Sequence, residues 1–191
     1  MEAFLTATAL VAVAEIGDKT QLLSFVLAAR LRRPMPIIAG ILVATLLNHA
    51  FAGAVGNWVA RVVPAAWTTW IVGLTFIVFG LWALIPDKLE DEGATFKHAT
   101  WGVFATTSLA FFLAEMGDKT QFATVALGAR FPELWAVVLG TTLGMMIANV
   151  PAVIIGEKLA HRLPLDKIRW AAAALFVLTG ALTLLGAGRT G

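Results

Sequence analysis

Charge is almost absent from most of this 191-residue chain, and that absence sets what it can fold into. Residues 34–60, 62–86, 134–156 and 170–188 contain no Asp, Glu, Lys or Arg. A helix needs about 20 apolar residues to cross the hydrocarbon core of a bilayer, so each run is of membrane-crossing length. Residues 3–29 and 99–129 are as long, and their only such charges are Glu15, Asp18 and Lys19 in the first and Glu115, Asp118 and Lys119 in the second. The composition agrees, at 59% hydrophobic and 14% charged, with a mean hydropathy of +0.84. A soluble helical bundle would show polar faces returning at every turn, and these runs show none. The expected fold is an all-α membrane protein with six transmembrane helices. Trp58, Trp67, Trp70, Trp82, Trp101, Trp135 and Trp170 fall near the ends of the runs, where indole rings favour the headgroup region. All prolines but Pro151 fall at run boundaries.

The lipid bilayer is thus an expected partner, and nucleic acid is not. The pI near 9.3 comes from basic residues scattered over short loops, where they act as topology signals. The first, third and fifth loops hold Arg30, Arg32, Arg33, Lys88, Lys97, Lys158, Arg162, Lys167 and Arg169, while the other side holds only Arg61, Arg130 and Arg189. The positive-inside rule then places the richer side in the cytoplasm and both termini outside it. Expected is a multi-pass protein of the cell (inner) membrane. The N-terminal run lacks a preceding basic region and does not read as a cleaved signal. With no cysteine there is no disulfide and no thiolate metal site.

The charges inside the first and fourth runs are a repeat. Glu15-Ile16-Gly17-Asp18-Lys19-Thr20-Gln21 returns one hundred positions later as Glu115-Met116-Gly117-Asp118-Lys119-Thr120-Gln121. The stretches 15–30 and 115–130 agree at nine of sixteen positions. The pairs Gly40/Gly140, Gly56/Gly156, Trp70/Trp170, Phe76/Phe176 and Gly80/Gly180 keep the same offset. The repeat therefore covers three spans. An odd number of spans forces the second copy to enter the membrane from the opposite face, which makes two inverted three-helix repeats. The expected division is a first repeat over 1–86, a cytoplasmic acidic connector over 87–100 and a second repeat over 101–191.

Duplication kept for folding alone would preserve small and apolar residues, not costly ones. A central Asp or Lys costs roughly 2.5–3.5 kcal/mol on insertion scales. On a continuous helix Glu15, Asp18 and Lys19 share one face, Gln21 lies beside Asp18, and Thr20 points elsewhere. Gly17 and Gly117 mark places where the backbone approaches a partner or unwinds. Brought together at the midplane, Glu15, Asp18, Glu115 and Asp118 carry four negative charges against the two positive charges of Lys19 and Lys119. The remainder of minus two suits one divalent cation or two protons. The ligand set is then Glu15, Asp18, Glu115, Asp118, Gln21 and Gln121, all oxygens, which favours a hard ion such as Mn2+, Ca2+ or Mg2+. Glu15 and Glu115 are the expected proton carriers, since Glu has the higher reference pKa and each Asp has an adjacent lysine. Thr20, Thr120, Asn48, His49 and Asn149 are expected to line the site. An imidazole there tilts preference toward Mn2+, although a lone histidine in a bundle is more often a packed hydrogen-bonder.

The doubled Glu-x-Gly-Asp-Lys/Arg-Thr/Ser motif, in a chain of six runs, resembles the transmembrane protein 165 family. The resemblance covers the whole chain. It implies a cation/proton antiporter for manganese and calcium, with Glu15, Gly17, Asp18, Lys19 and Thr20 and their counterparts from Glu115 to Thr120 as its motif residues. Likeness to bacterial members implies manganese efflux. No cofactor is expected beyond the transported ion, and no enzymatic activity. A homo-oligomer is compatible with the sequence. The competing readings are a divalent-cation channel or uniporter, an intramembrane aspartyl protease and a non-transporting assembly factor. A protease dyad shares a proton, which a lysine beside each aspartate opposes.

Overall fold

The computed structural model describes residues 1–85, 102–155 and 164–187. The connector at 87–100, with Glu90 and Glu92, lies outside the described residues, as do Trp101, Gly156 and the basic residues Lys88, Lys97, Lys158, Arg162 and Arg189. The described residues form eight helices and no strand: α1 (Glu2–Glu15), α2 (Lys19–Leu31), α3 (Pro34–Val62), α4 (Ala65–Ala83), α5 (Gly102–Glu115), α6 (Lys119–Arg130), α7 (Leu134–Ile155) and α8 (Leu165–Ala187). Three segments, Pro34–Val62, Leu134–Ile155 and Asp166–Gly186, are long and apolar enough to cross a membrane by themselves, while Trp67–Ala83 and Gly102–Glu115 are shorter apolar helices.

The starts and stops follow local chemistry. Pro34 opens α3, where its missing N–H costs nothing. Pro64 caps α4. Pro151 lies inside α7, which continues through it. The first and fourth apolar runs are not the continuous helices that their length predicts. Each is broken at its motif, after Glu15 and after Glu115. The cause is backbone geometry. Gly17 and Gly117 hold φ of 87° and 75°, the left-handed region that a right-handed helix cannot contain.

Polarity is arranged inside out relative to a soluble protein. Large apolar side chains such as Phe51, Trp67, Trp135, Trp170 and Leu185 are exposed, whereas Glu15, Asp18, Gln21, Asn48, His49, Glu115, Asp118 and Asn149 are buried. Glycines set the helix approach. A Cβ on Gly180 would stand 2.6 Å from the Gly73 carbonyl oxygen, which brings α8 against α4, with Phe76 and Phe176 stacked at 6.2 Å. Gly140 and Gly144 let α7 close on α1 at Phe4, Ala7, Thr8 and Ala12. Gly56 abuts the carbonyl of Val125, and Gly128 abuts Gly53, joining α3 to α6. Helices from before the connector therefore pack chiefly on helices from after it: α1 on α7, α2 on α7, α3 on α5 and α6, and α4 on α8.

Candidate functional site

Each motif copy builds the same local device. Beyond the end of α1 the chain turns through Gly17 and restarts at Asp18, the N-cap of α2. The Gly17 N–H, freed by the break, donates to Gln21 Oε1 at 2.8 Å. Thr20 Oγ1 donates to Glu15 Oε2 at 2.5 Å. The second copy repeats this: Gly117 N–H to Gln121 Oε1 at 2.8 Å, Thr120 Oγ1 to Glu115 Oε1 at 2.5 Å, and Asp118 at the N-cap of α6. Asp18 and Asp118 have matching backbone angles, φ/ψ of −80°/168° and −82°/164°. Neither caps its own helix with its side chain.

The aspartates reach across instead. Lys19 Nζ lies 3.0 Å from Asp118 Oδ1, and Lys119 Nζ lies 3.0 Å from Asp18 Oδ1. Two crossed ion pairs thus tie the copies together. Oxygens of Glu15, Glu115 and Asp118 lie within 4.8 Å of one another, and all three residues are buried. Glu15 Oε1 and Glu115 Oε2 are buried with no hydrogen-bond partner. The threonine hydroxyl fixes one oxygen of each glutamate and leaves the other without a hydrogen-bond partner. The surroundings are unequal: the side chain of Lys19 is 30% exposed and that of Lys119 is 11% exposed.

The remaining expected residues take definite places. Gln21 and Gln121 give their oxygens to the glycine amides, and Gln21 Nε2 donates to the Ala148 carbonyl at 2.9 Å. Each amide oxygen keeps a second lone pair. Thr20 corrects the helical-wheel expectation: it points to Glu15, not elsewhere, because a wheel does not carry across a break in the helix. Asn48 Nδ2 donates to the Phe112 carbonyl at 3.1 Å. Asn149 donates to Met145 O and accepts from Ser24. His49 is fully buried, with no partner on either ring nitrogen. Ser24 was not expected. Its offset partner Thr124 also bears a hydroxyl, and that agreement between the copies was the available signal.

An all-helical protein, apolar outside, with two motif copies crossed over buried carboxylates, belongs to the class of membrane cation transporters. The profile of the family described as "Divalent cation/proton antiporter GDT1" matches residues 3–91 and 103–190. The chain is 49% identical to a Vibrio cholerae protein named "Putative manganese exporter", over 91% of this chain and 86% of that one. It is 27% identical to "GDT1-like protein 5" of Arabidopsis thaliana, over 97% and 96% of the two chains. It is 23% identical to "Divalent cation/proton antiporter GDT1" of Saccharomyces cerevisiae, over 93% and 81%. No solved structure gives a significant match. The chain belongs to the GDT1 family of divalent cation/proton antiporters.

Proposed function

We propose that this protein exports Mn2+, and Ca2+ less readily, from the cytoplasm in exchange for protons, through one site that both motif copies build. The observation that carries this reading is the pair of crossed bridges around the unpartnered oxygens of Glu15 and Glu115. Four carboxylates and two lysines leave minus two, which a divalent cation or two protons cancel. Glu15, Asp18, Glu115 and Asp118 are the ligands, with Gln21 and Gln121 beside them. Glu15 and Glu115 are the proton carriers, and Lys19 and Lys119 balance charge. Thr20, Thr120, Asn48, His49 and Asn149 line the site. The membrane architecture is six spans in two inverted repeats, 1–86 and 101–191, with α1–α2 and α5–α6 each acting as one broken span around a midplane site. The connector and the basic loops face the cytoplasm of a bacterial inner membrane, and both termini lie outside.

The manganese preference draws support from the name of the Vibrio cholerae relative. The test is flux of Mn2+ and Ca2+ in proteoliposomes holding the purified protein, with and without a pH gradient. A gradient acid on the receiving side should speed Mn2+ movement toward the acid, and more so than Ca2+ movement. Flux that ignores pH on both sides, or follows sodium, would overturn the coupling.

A further inference from the structure

A second set of buried polar groups lies in the seam between α3 and α5. Two contacts fix the seam. A Cβ on Gly40 would stand 2.8 Å from Thr107 Cβ, and Asn48 Nδ2 bonds the Phe112 carbonyl at 3.1 Å. Between these levels α3 carries Thr45, and His49 stands at the inner end. On α5, Thr107, Phe111 and Glu115 recur at four-residue spacing and share a face. Thr45 Oγ1, Thr107 Oγ1 and both nitrogens of His49 are buried without a hydrogen-bond partner.

Such hydroxyls normally bond to the carbonyl four residues back in their own helix. Thr8, Thr124, Thr141, Thr179 and Thr183 do so. Thr45, Thr107 and Thr142 do not, and an unmet polar group in an apolar interior is a candidate partner for a buried water. The seam is not reproduced residue for residue in the other half. At the hundred-residue offset Thr45, Asn48 and Thr107 become Met145, Ala148 and Ala7. His49 becomes Asn149, whose amide is satisfied by Met145 and Ser24. In the seam between α1 and α7 the positions matching Thr45, Asn48 and Thr107 are apolar, although α7 carries Thr142 nearby with a buried unpartnered hydroxyl.

We propose that the α3–α5 seam holds a file of water that carries protons between the carboxylate cluster and the membrane face at the N-terminal ends of α3 and α5, lined by Thr107, Thr45 and His49 and closed by Phe111. A neutral imidazole offers one donor and one acceptor, so His49 continues a water chain and does not end it. Threonine hydroxyls do the same. Phe111 is fully buried among Ile41, Ala44 and Met145, on the α5 face between Thr107 and Glu115, where its ring interrupts the file. The ionisable groups on the seam helices and those packed against them are Glu115, at which the file ends, Arg61 in the last turn of α3, Lys119 and Arg130 of α6 with Asp118 at its N-cap, and Lys19 and Arg30 of α2 with Asp18 at its N-cap. The outer end opens beside Arg32 and Arg33, on the side that the charge count assigns to the cytoplasm. A file one water wide conducts protons and excludes a hydrated divalent cation, so protons and metal use different routes to one site.

This inference rests on the proton-coupled reading, and its test separates the two. The purified chain carrying both Thr45→Val and Thr107→Val, which keep side-chain volume, is reconstituted in vesicles. Two rates are measured: Mn2+ flux driven by a pH gradient, and Mn2+/Mn2+ counterflow at equal pH, which moves no net proton. The gradient-driven rate should fall about tenfold while counterflow stays within about twofold of wild type. In addition, Phe111→Ala should dissipate a pH gradient in Mn2+-free vesicles that wild type holds, read with an entrapped pH dye. Equal loss in both transport assays, or wild-type rates in both, overturns the file, as does a proton-tight Phe111→Ala. Wild-type flux indifferent to pH would instead overturn the antiport reading, and the Phe111→Ala leak would still report on the file.

Discussion

A buried carboxylate in this protein is specified oxygen by oxygen. Thr20 and Thr120 each bond one oxygen of their glutamate and leave the other unpartnered. Losing a hydrogen bond to a charged group costs about 1.5–3 kcal/mol. Thr20→Val and Thr120→Val are therefore expected to weaken Mn2+ binding roughly tenfold each, measured as the apparent KM for flux, while the fold stays intact. Neutralising the carboxylates is more severe. Glu15→Gln and Asp118→Asn should each reduce Mn2+ flux to background, with normal yield and unchanged circular dichroism, whereas Glu90→Gln and Glu92→Gln should leave flux unaltered. Wild-type flux in both Glu15→Gln and Asp118→Asn would sink the shared-site mechanism.

Two kinds of glycine act at the scale of the element, and substitution separates them. Gly117 has φ +75° and nothing within 4 Å of an added Cβ, so its cost is conformational alone. Gly117→Ala should destabilise by roughly 1–2 kcal/mol and slow transport, because alanine favours closing the break into continuous helix. At Gly56 an added Cβ would fall 2.0 Å from the Val125 carbonyl oxygen, a backbone atom that cannot step aside. Gly56→Ala should prevent α3 from docking on α6 and abolish recovery of monodisperse protein by size-exclusion chromatography. The reverse ranking would mean that the breaks matter less than the packing. This contrast also marks how far the sequence could be read. The apolar runs came close to the bounds of α3, α4 and α7 and to the end of α8, and the motif's charges are those that the structure gathers in its interior. The breaks were only an option at Gly17 and Gly117, since periodicity assumes a helix that does not stop. The reach of Thr20 to Glu15 and of each lysine to the opposite aspartate follows from the break and was invisible without it. Thr45 and Thr107 were illegible for another reason. A threonine in an apolar run reads as packing until its hydroxyl is seen to forgo its own backbone.

Across the molecule, direction of transport follows from competition. On the proposed mechanism metal and protons neutralise the same carboxylates, so each displaces the other. Lowering pH on the side that supplies Mn2+ protonates the site there and should slow its flux. Lowering pH on the receiving side should speed release, and the two effects should cancel when both sides are acidified together. Rates measured in vesicles at matched and mismatched pH check the sign, and acceleration by acid on the supplying side would refute it.

The crossing of the two halves has a consequence for how the chain is made. Asp18 is synthesised about one hundred residues before Lys119, and α1 well before α7. At about 5–20 residues per second, α1, α2 and α3 wait some 5–20 s for the helices that cover them. Through that interval Glu15 and Asp18 stand in or beside lipid without the lysine that offsets one of them, and Gly53 and Gly56 face no partner. The insertion machinery must hold the first half in an arrangement that the finished protein never uses, and a stall in translation between the halves strands it there.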